Sequence, residues 1–205
     1  MYVGRIVAVG RTQSGRIGAL YRVSSRSFPN RQAKQLENSV AILPKPGHEG
    51  DIHRNPYIAY NCLRLTGKYA VVSNGSHTDP ITEKLAAGYS PRDALGSVLL
   101  ALDYEHDTLA TPRIAAIVEQ GAGPAYLGIV TRDNLLVRAF TPAPGQLFYV
   151  ATYEHNVPSP EFTDSAYDAA SPAAACQFVL GQGVFAKLRN PVCAAVALAN
   201  ASGQF

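Results

Sequence analysis

No apolar run in this chain approaches the roughly 20 residues that a bilayer-spanning helix requires. Runs of like charge are also missing. Eighteen Lys and Arg stand against 15 Asp and Glu, the net charge is +3, and the basic residues are scattered. Without a basic stripe or a nucleic-acid-binding motif, neither nucleic acid nor membrane is expected as a partner, although a locally basic pocket for one phosphate stays open. The three cysteines, Cys62, Cys176 and Cys193, are odd in number and widely spaced. That argues against a disulfide framework and against a zinc site. There is no GxGxxG, Walker A, HExxH or GxSxG signature, so the common cofactor and hydrolase classes have no support. Met1–Gly10 carries Arg5 but no basic cluster leading into an apolar core. It reads as a strand rather than a signal peptide, and a cytoplasmic location is expected.

What is present fits one globular domain spanning 1–205, with 47% apolar and 16% charged residues. Short apolar runs bounded by turn residues predict strands over Tyr2–Val9, Leu20–Ser24, Val40–Leu43, Tyr57–Leu65 and Tyr69–Ser73. Two capped helices follow. Asp79 with Pro80 opens the first. Ser90 with Pro91 opens the second, which runs to about Tyr104 and buries Leu95, Val98, Leu99 and Leu102. Strands return at Ile114–Val118, Tyr126–Thr131, Leu135–Phe140 and Leu147–Tyr153, with a hairpin turn at Arg132-Asp133-Asn134. Ser171-Pro172 starts a helix ending near Gly181 or Gly183, and the Ala-rich tail Pro191–Ala199 is open between helix and strand. Blocks of strands, helices, strands and helix predict an α+β fold with a mostly antiparallel sheet or two covered sheets.

Four segments concentrate polar groups beside strand-like runs. Arg22-Val-Ser-Ser-Arg-Ser-Phe-Pro-Asn-Arg31 offers three guanidiniums, three hydroxyls and an amide. Arginine forks match phosphate oxygens, but an exposed polar loop has the same composition. In Arg54-Asn-Pro-Tyr-Ile-Ala-Tyr-Asn-Cys-Leu-Arg64, Tyr60 and Cys62 share one strand face and Asn61 takes the other. Tyr60 is either a reactive-site hydroxyl or a core tyrosine with a satisfied one. Cys62 reads first as a small buried residue. Ser73-Asn-Gly-Ser-His-Thr-Asp79 joins a strand to a helix. Asn74 and the Gly75 backbone can hold a sugar or carboxamide, or simply form a turn and cap. His77 is open between acid-base and structural roles. Leu102-Asp-Tyr-Glu-His-Asp-Thr108 places acids at a helix C-terminus, against the dipole, which is either a functional departure from the local rule or simply a solvated helix end. Glu105 is the candidate general base or acid.

Taken together, the chain resembles the archaeal-type IMP cyclohydrolase family over nearly its whole length. The resemblance rests on Met1-Tyr-Val-Gly-Arg-Ile6, Tyr21-Arg-Val-Ser-Ser-Arg-Ser-Phe-Pro-Asn-Arg31, Arg54-Asn-Pro-Tyr-Ile-Ala-Tyr-Asn61, Val72-Ser-Asn-Gly-Ser-His-Thr-Asp79, Asp103-Tyr-Glu105 and Thr111-Pro-Arg-Ile-Ala115. It implies closure of 5-formamidoimidazole-4-carboxamide ribotide (FAICAR) to inosine monophosphate (IMP), the last step of purine synthesis. It also implies a four-layer αββα sandwich like that of the N-terminal-nucleophile hydrolases. Here Met1 is followed by the large Tyr2, which disfavours methionine removal, so no such nucleophile is expected.

That chemistry assigns expected roles. Glu105 draws a proton from the carboxamide, and Tyr60 or protonated Glu105 gives one to the departing water. Arg31, with Arg26 as rival, faces the formyl oxygen. Arg22, Arg26, Asn30, Arg54, Asn55, Asn61, Asn74 and Gly75 are expected to bind substrate. No metal or redox cofactor is required, and a homo-oligomer is expected. Two other readings remain: an amide hydrolase, for which Cys62 is the one plausible nucleophile, and a non-catalytic purine-nucleotide-binding protein.

Overall fold

A computed structural model describes residues 1–205. The chain forms β1 (Ile6–Arg11), β2 (Ile17–Ser24), β3 (Arg31–Gln35), β4 (Ser39–Pro44), the single turn α1 (Asp51–Arg54), β5 (Tyr60–Thr66), β6 (Tyr69–Ser73), α2 (Thr78–Ala86) and α3 (Pro91–Leu102). It continues through β7 (Arg113–Glu119), β8 (Ala125–Val130), β9 (Leu135–Phe140), β10 (Leu147–Ala151), β11 (Thr163–Asp164), α4 (Pro172–Gly181) and β12 (Pro191–Leu198). All strand pairings within the two sheets are antiparallel: a five-stranded sheet ordered β11-β10-β1-β2-β12 and a seven-stranded sheet ordered β3-β4-β5-β6-β7-β8-β9. No helix is long and apolar enough to cross a membrane.

Alternation along the strands decides what each sheet face meets. In β1, Val7 and Val9 join the largest buried cluster, where the two sheets face each other and which also takes Tyr21, Val23, Tyr60, Cys62, Val72 and Ile114. Ile6 and Ala8 point the opposite way and pack with Leu20, Tyr149, Phe178 and Val179 of α4. On the outer face of the seven-stranded sheet, Val71, Ala115 and Ile117 meet Ile81, Leu85, Leu95 and Val98 of α2 and α3. Apolar residues thus recur on both faces of the central strands, as needed where helices cover the outer side of each sheet.

Several expectations shift in the structure. The tail is a strand, β12, and β3 was missed because its sequence Arg-Gln-Ala-Lys-Gln is polar. An edge strand with one neighbour does not need an apolar face. Helix α2 starts at Thr78, ahead of the expected Asp79 cap, because the Thr78 N–H and hydroxyl both turn back onto the Gly75 carbonyl. Helix α3 begins at Ser90-Pro91 as expected, with the Ser90 hydroxyl accepting from the Asp93 N–H, but it stops at Leu102, which is 40% exposed rather than buried.

One glycine is demanded by the way the sheets close. Gly4 has φ +74, and a Cβ there would overlap Thr152 Oγ1 and lie 2.7 Å from the Tyr153 ring. The chain leaving β10 crosses it, donating from Thr152 N to Arg5 O and from Tyr153 N to Val3 O. Gly4→Ala is expected to lower unfolding free energy by about 2 to 4 kcal/mol, from backbone strain plus overpacking. Urea denaturation followed by circular dichroism measures this.

Candidate active site

Six buried side-chain polar atoms lack a hydrogen-bond partner: Arg5 Nε, His77 Nδ1, Glu105 Oε1, Arg113 Nε and Nη1, and the Tyr167 hydroxyl. Buried polar groups are almost always paired, so the gathering of five of these six atoms in one place marks a site. Arg5 lies just before β1, His77 just before α2, Glu105 just after α3 and Arg113 at the start of β7.

Glu105 is 2% exposed and pairs through Oε2 with Arg5 Nη2 at 3.2 Å. The backbone is bent to bring it inward. Asp103 closes α3 at φ 54, ψ −171, a region that costs a non-glycine residue on the order of 1–3 kcal/mol. The Glu105 N–H donates to Thr111 O at 2.8 Å. Asp107 fastens the rest of the loop, accepting from the Leu109 and Thr111 N–H groups on Oδ1 and from the Thr111 hydroxyl on Oδ2. Burial raises the Glu105 pKa above the usual carboxylate value, against the pull of Arg5 and Arg113. Its unpaired Oε1 is therefore a lone-pair acceptor with a strengthened affinity for protons.

Beside it, two tyrosines meet across the gap between sheets. Tyr21 of β2 and Tyr60 of β5 share a hydroxyl–hydroxyl bond of 2.6 Å. Burial pushes Tyr60 up to about 12 even though Arg31 and Arg5 pull it down, and Tyr21 rises well above its ordinary value. Both hydroxyls are protonated at neutral pH. Arg31, 3% exposed, donates from Nε to Phe28 O at 3.1 Å, and its terminal nitrogens have no protein partner. Three guanidiniums, Arg5, Arg31 and Arg113, thus act on one carboxylate.

The turn Ser73–Asp79 holds Arg113 in place. The Asn74 N–H and side-chain Oδ1 grip the carbonyl and N–H of Ile114, and Asn74 Nδ2 donates to Pro112 O. The residue between, Arg113, is thereby fixed from both sides. Its guanidinium lies 5.8 Å from the Tyr57 ring centroid and is 7% exposed. Outside this cluster lies an open cleft of about 200 Å³ lined by Tyr2, Arg5, Ser25, Arg26, Ser27 and Asn55, among others. No group of three or more His, Cys, Asp or Glu side chains converges to hold a metal ion.

A carboxylate ready to take a proton, hydroxyls that stay protonated and unpaired guanidinium N–H groups suit acid-base chemistry on a neutral, amide-rich group. Comparison with known proteins identifies the family. The family model of IMP cyclohydrolase-like proteins matches residues 2–203. The chain belongs to that family. It is 49% identical to an IMP cyclohydrolase of Methanocella arvoryzae, over 95% of this chain and 91% of that protein. It is 46% identical to one of Halobacterium salinarum, over 95% and 90%. It is 44% identical to one of Methanosphaera stadtmanae, over 95% and 94%.

Within this family member, the sequence-predicted residues separate into groups. Glu105, Tyr60 and Arg31 stand around the buried cluster, and Gly75 touches it through Arg113 and His77. Arg26 and Asn55 line the open cleft, Arg26 stacked 4.2 Å above the Tyr2 ring. Arg54 is exposed, pairing with Asp51 and lying over Phe28, and Asn30 Nδ2 meets His48 Nδ1 at 3.3 Å. Three others are engaged elsewhere. Arg22 is fully buried on the α4 side. It donates from Nε to Ser24 Oγ, from Nη1 to the Val179 and Phe185 carbonyls, and from Nη2 to those of Leu188 and Arg189. Asn61 points to the outer face and donates to Asp79. Asn74 is tied to the backbone around Arg113. Arg5, Tyr21 and Arg113 have no role predicted from sequence, although all three sit inside the motifs that carry the family resemblance. For Arg5 and Arg113 the available signal is an arginine directly flanking or opening an otherwise apolar strand.

Because all five Arg22 N–H groups end on protein oxygens, Arg22→Met leaves the Val179, Leu188 and Arg189 carbonyls and the Ser24 hydroxyl without that donor, whereas the Phe185 carbonyl keeps the Leu188 N–H. A loss of at least about 3 kcal/mol is expected, from roughly 1–3 kcal/mol per orphaned group with partial relaxation. Urea unfolding measures it, and calorimetric affinity of the still-folded variant for IMP is expected to stay within about twofold of wild type.

Proposed function

We infer that this protein is an IMP cyclohydrolase, closing FAICAR to IMP with loss of water in the final step of purine synthesis. Membership of the family and near-full-length similarity to proteins of that name support this. The unpaired Glu105 Oε1 beside the Arg5 guanidinium is the observation that carries the mechanism. The layering of helices outside two facing sheets supports the finer reading of a four-layer αββα sandwich of the N-terminal-nucleophile type.

The reaction is intramolecular, so holding carboxamide and formyl groups face to face supplies much of the acceleration. Glu105 takes one carboxamide N–H proton as that nitrogen bonds to the formyl carbon. The formyl oxygen gains negative charge facing Arg31 and then takes up the proton held by Glu105. The resulting hydroxyl leaves as water with a further proton from Tyr60. The former formamide N–H gives its proton back to the Tyr60 oxygen as the ring double bond forms, so both protein groups return to their starting forms. Arg26, Ser25, Ser27 and Asn55 in the outer cleft seat the ribose phosphate, with the phosphate facing Arg26. Among the other sequence candidates, Arg54 lies over Phe28, which lines this cleft. The amide-hydrolase reading loses support at its nucleophile. The Cys62 thiol is fully buried, donates to Val40 O at 3.3 Å and is raised by burial, away from the reactive thiolate. Exposed Leu135 and Leu136 on the edge strand β9, with Leu100 at 70% exposure on α3, support the expected homo-oligomer.

Following FAICAR to IMP by ultraviolet absorbance tests the function, and its pH profile tests Glu105. A base must be ionised, so kcat/KM should rise with pH through a midpoint above the ordinary glutamate value. Glu105→Gln should lower kcat by about 10²–10⁴-fold and remove that limb. Near-normal turnover of the Gln variant would remove the general-base role, and binding of IMP without turnover by wild type would favour a non-catalytic nucleotide binder.

A further inference from the structure

His77 is a fully buried histidine that the mechanism above does not use. Its Nε2 lies 2.9 Å from the Ile114 carbonyl oxygen. That oxygen can only accept, so Nε2 carries the hydrogen and Nδ1 is an unprotonated acceptor. Burial, with Arg113 and Arg5 nearby, drives the imidazole pKa down to about 3, so the ring is neutral across the working pH range. Nδ1 has no partner, nor has Arg113 Nη1. The two atoms flank one point: a Cβ on Gly75 would lie 3.2 Å from His77 Nδ1 and 3.0 Å from Arg113 Nη1. An acceptor and a donor, both buried and unpaired, therefore both border the place a Gly75 side chain would take, and only a glycine leaves them uncrowded.

We propose that His77 and Arg113 form a specificity pair that reads the carboxamide edge of the substrate, His77 Nδ1 accepting from an N–H and Arg113 Nη1 donating to the adjacent carbonyl oxygen. The pattern fits a carboxamide, in which oxygen and N–H are neighbours. It also fits the lactam edge of the product, which keeps the N–H and C=O side by side. It mismatches the amidine edge of adenine, where the ring nitrogen accepts and the exocyclic nitrogen donates. Against adenine, His77 Nδ1 would face a lone pair and Arg113 would face an amino group, leaving both protein groups unpaired at a cost that rejects the ligand. The pair acts alongside Glu105, which takes the reacting proton, whereas His77 fixes the orientation of the carboxamide and stays uncharged throughout.

This proposal rests on the cyclohydrolase reading, and the test separates the two. FAICAR turnover by wild type reports on that reading alone. Calorimetric affinities of wild type, His77→Phe and Gly75→Ala for IMP, AMP and ribose 5-phosphate report on the pair. Wild type is expected to prefer IMP over AMP by about 10- to 100-fold, the scale of one mismatched polar pair. His77→Phe should shrink that preference to about threefold or less by weakening IMP, with ribose 5-phosphate affinity unchanged as evidence of an intact fold. Gly75→Ala, which pushes a methyl between the two groups without removing either, should do the same. Equal wild-type affinities for IMP and AMP, or an unchanged preference in variants that still bind ribose 5-phosphate, would overturn the proposal. If both variants also lose ribose 5-phosphate binding while keeping wild-type thermal stability, the role of the pair is not specificity and the proposal fails.

Discussion

A carboxylate held almost out of water against a single guanidinium is the constraint around which this fold is arranged. Glu105 can be placed there only because α3 stops at Asp103 in a conformation that ordinary residues avoid, and because Asp107 fastens the loop that follows. Its partner Arg5 reaches the same point because Gly4 lets the exit of β10 pass over the chain. The two sheets meet through Tyr21 and Tyr60 beside this pair. The turn after β6 anchors Ile114 so that Arg113 arrives from the third side. Strain at Asp103 and crowding at Gly4 are thus linked to one placement, which the surrounding packing holds in position.

The electrostatic consequence is a site that is incomplete by itself. Arg5, Arg31 and Arg113 outnumber the one carboxylate, and several of their N–H groups point at no protein oxygen. Glu105 has a raised pKa, so its protonated form is the one favoured by folding. Its contribution to stability is present at low pH and lost as pH rises through the raised value. At the pH where a base must be ionised, the empty site is therefore destabilised, and a ligand that supplies N–H donors and carbonyl oxygens offsets that cost. Burial makes Glu105 a stronger base and keeps Tyr60 a proton donor, so one environment sets both roles.

Much of the fold was readable from alternation, because strands that face a partner sheet on one side and helices on the other still show turn residues at their ends. Tyr69–Ser73 and Leu135–Phe140 fall where the pattern placed them, and Ser90-Pro91 and Ser171-Pro172 start their helices. The polar edge strand Arg31–Gln35 and the two-residue strand Thr163–Asp164 carry no such signal. At the site, the misplaced acid at the end of α3 pointed to Glu105. The segment Arg22–Arg31, however, mixed three different fates. Arg22 lies on the α4 side of β2 and ties down α4, Arg26 faces the open cleft, and Arg31 turns inward. Composition cannot separate an arginine within one strand, one in the loop that follows and one that opens the next strand. Arg113 stayed hidden, and His77 stayed open between two roles, for another reason: their importance lies in the partners they lack, which only the packed chain reveals.

The central claim is that bound nucleotide completes the buried polar cluster. A crystal structure of the IMP complex tests it most directly. The account predicts that Glu105 Oε1, His77 Nδ1 and the free Arg5 and Arg113 nitrogens each lie within hydrogen-bond distance of the nucleotide or of a water fixed by it. A complex in which IMP occupies the outer cleft alone, leaving those atoms unpaired, would contradict the account.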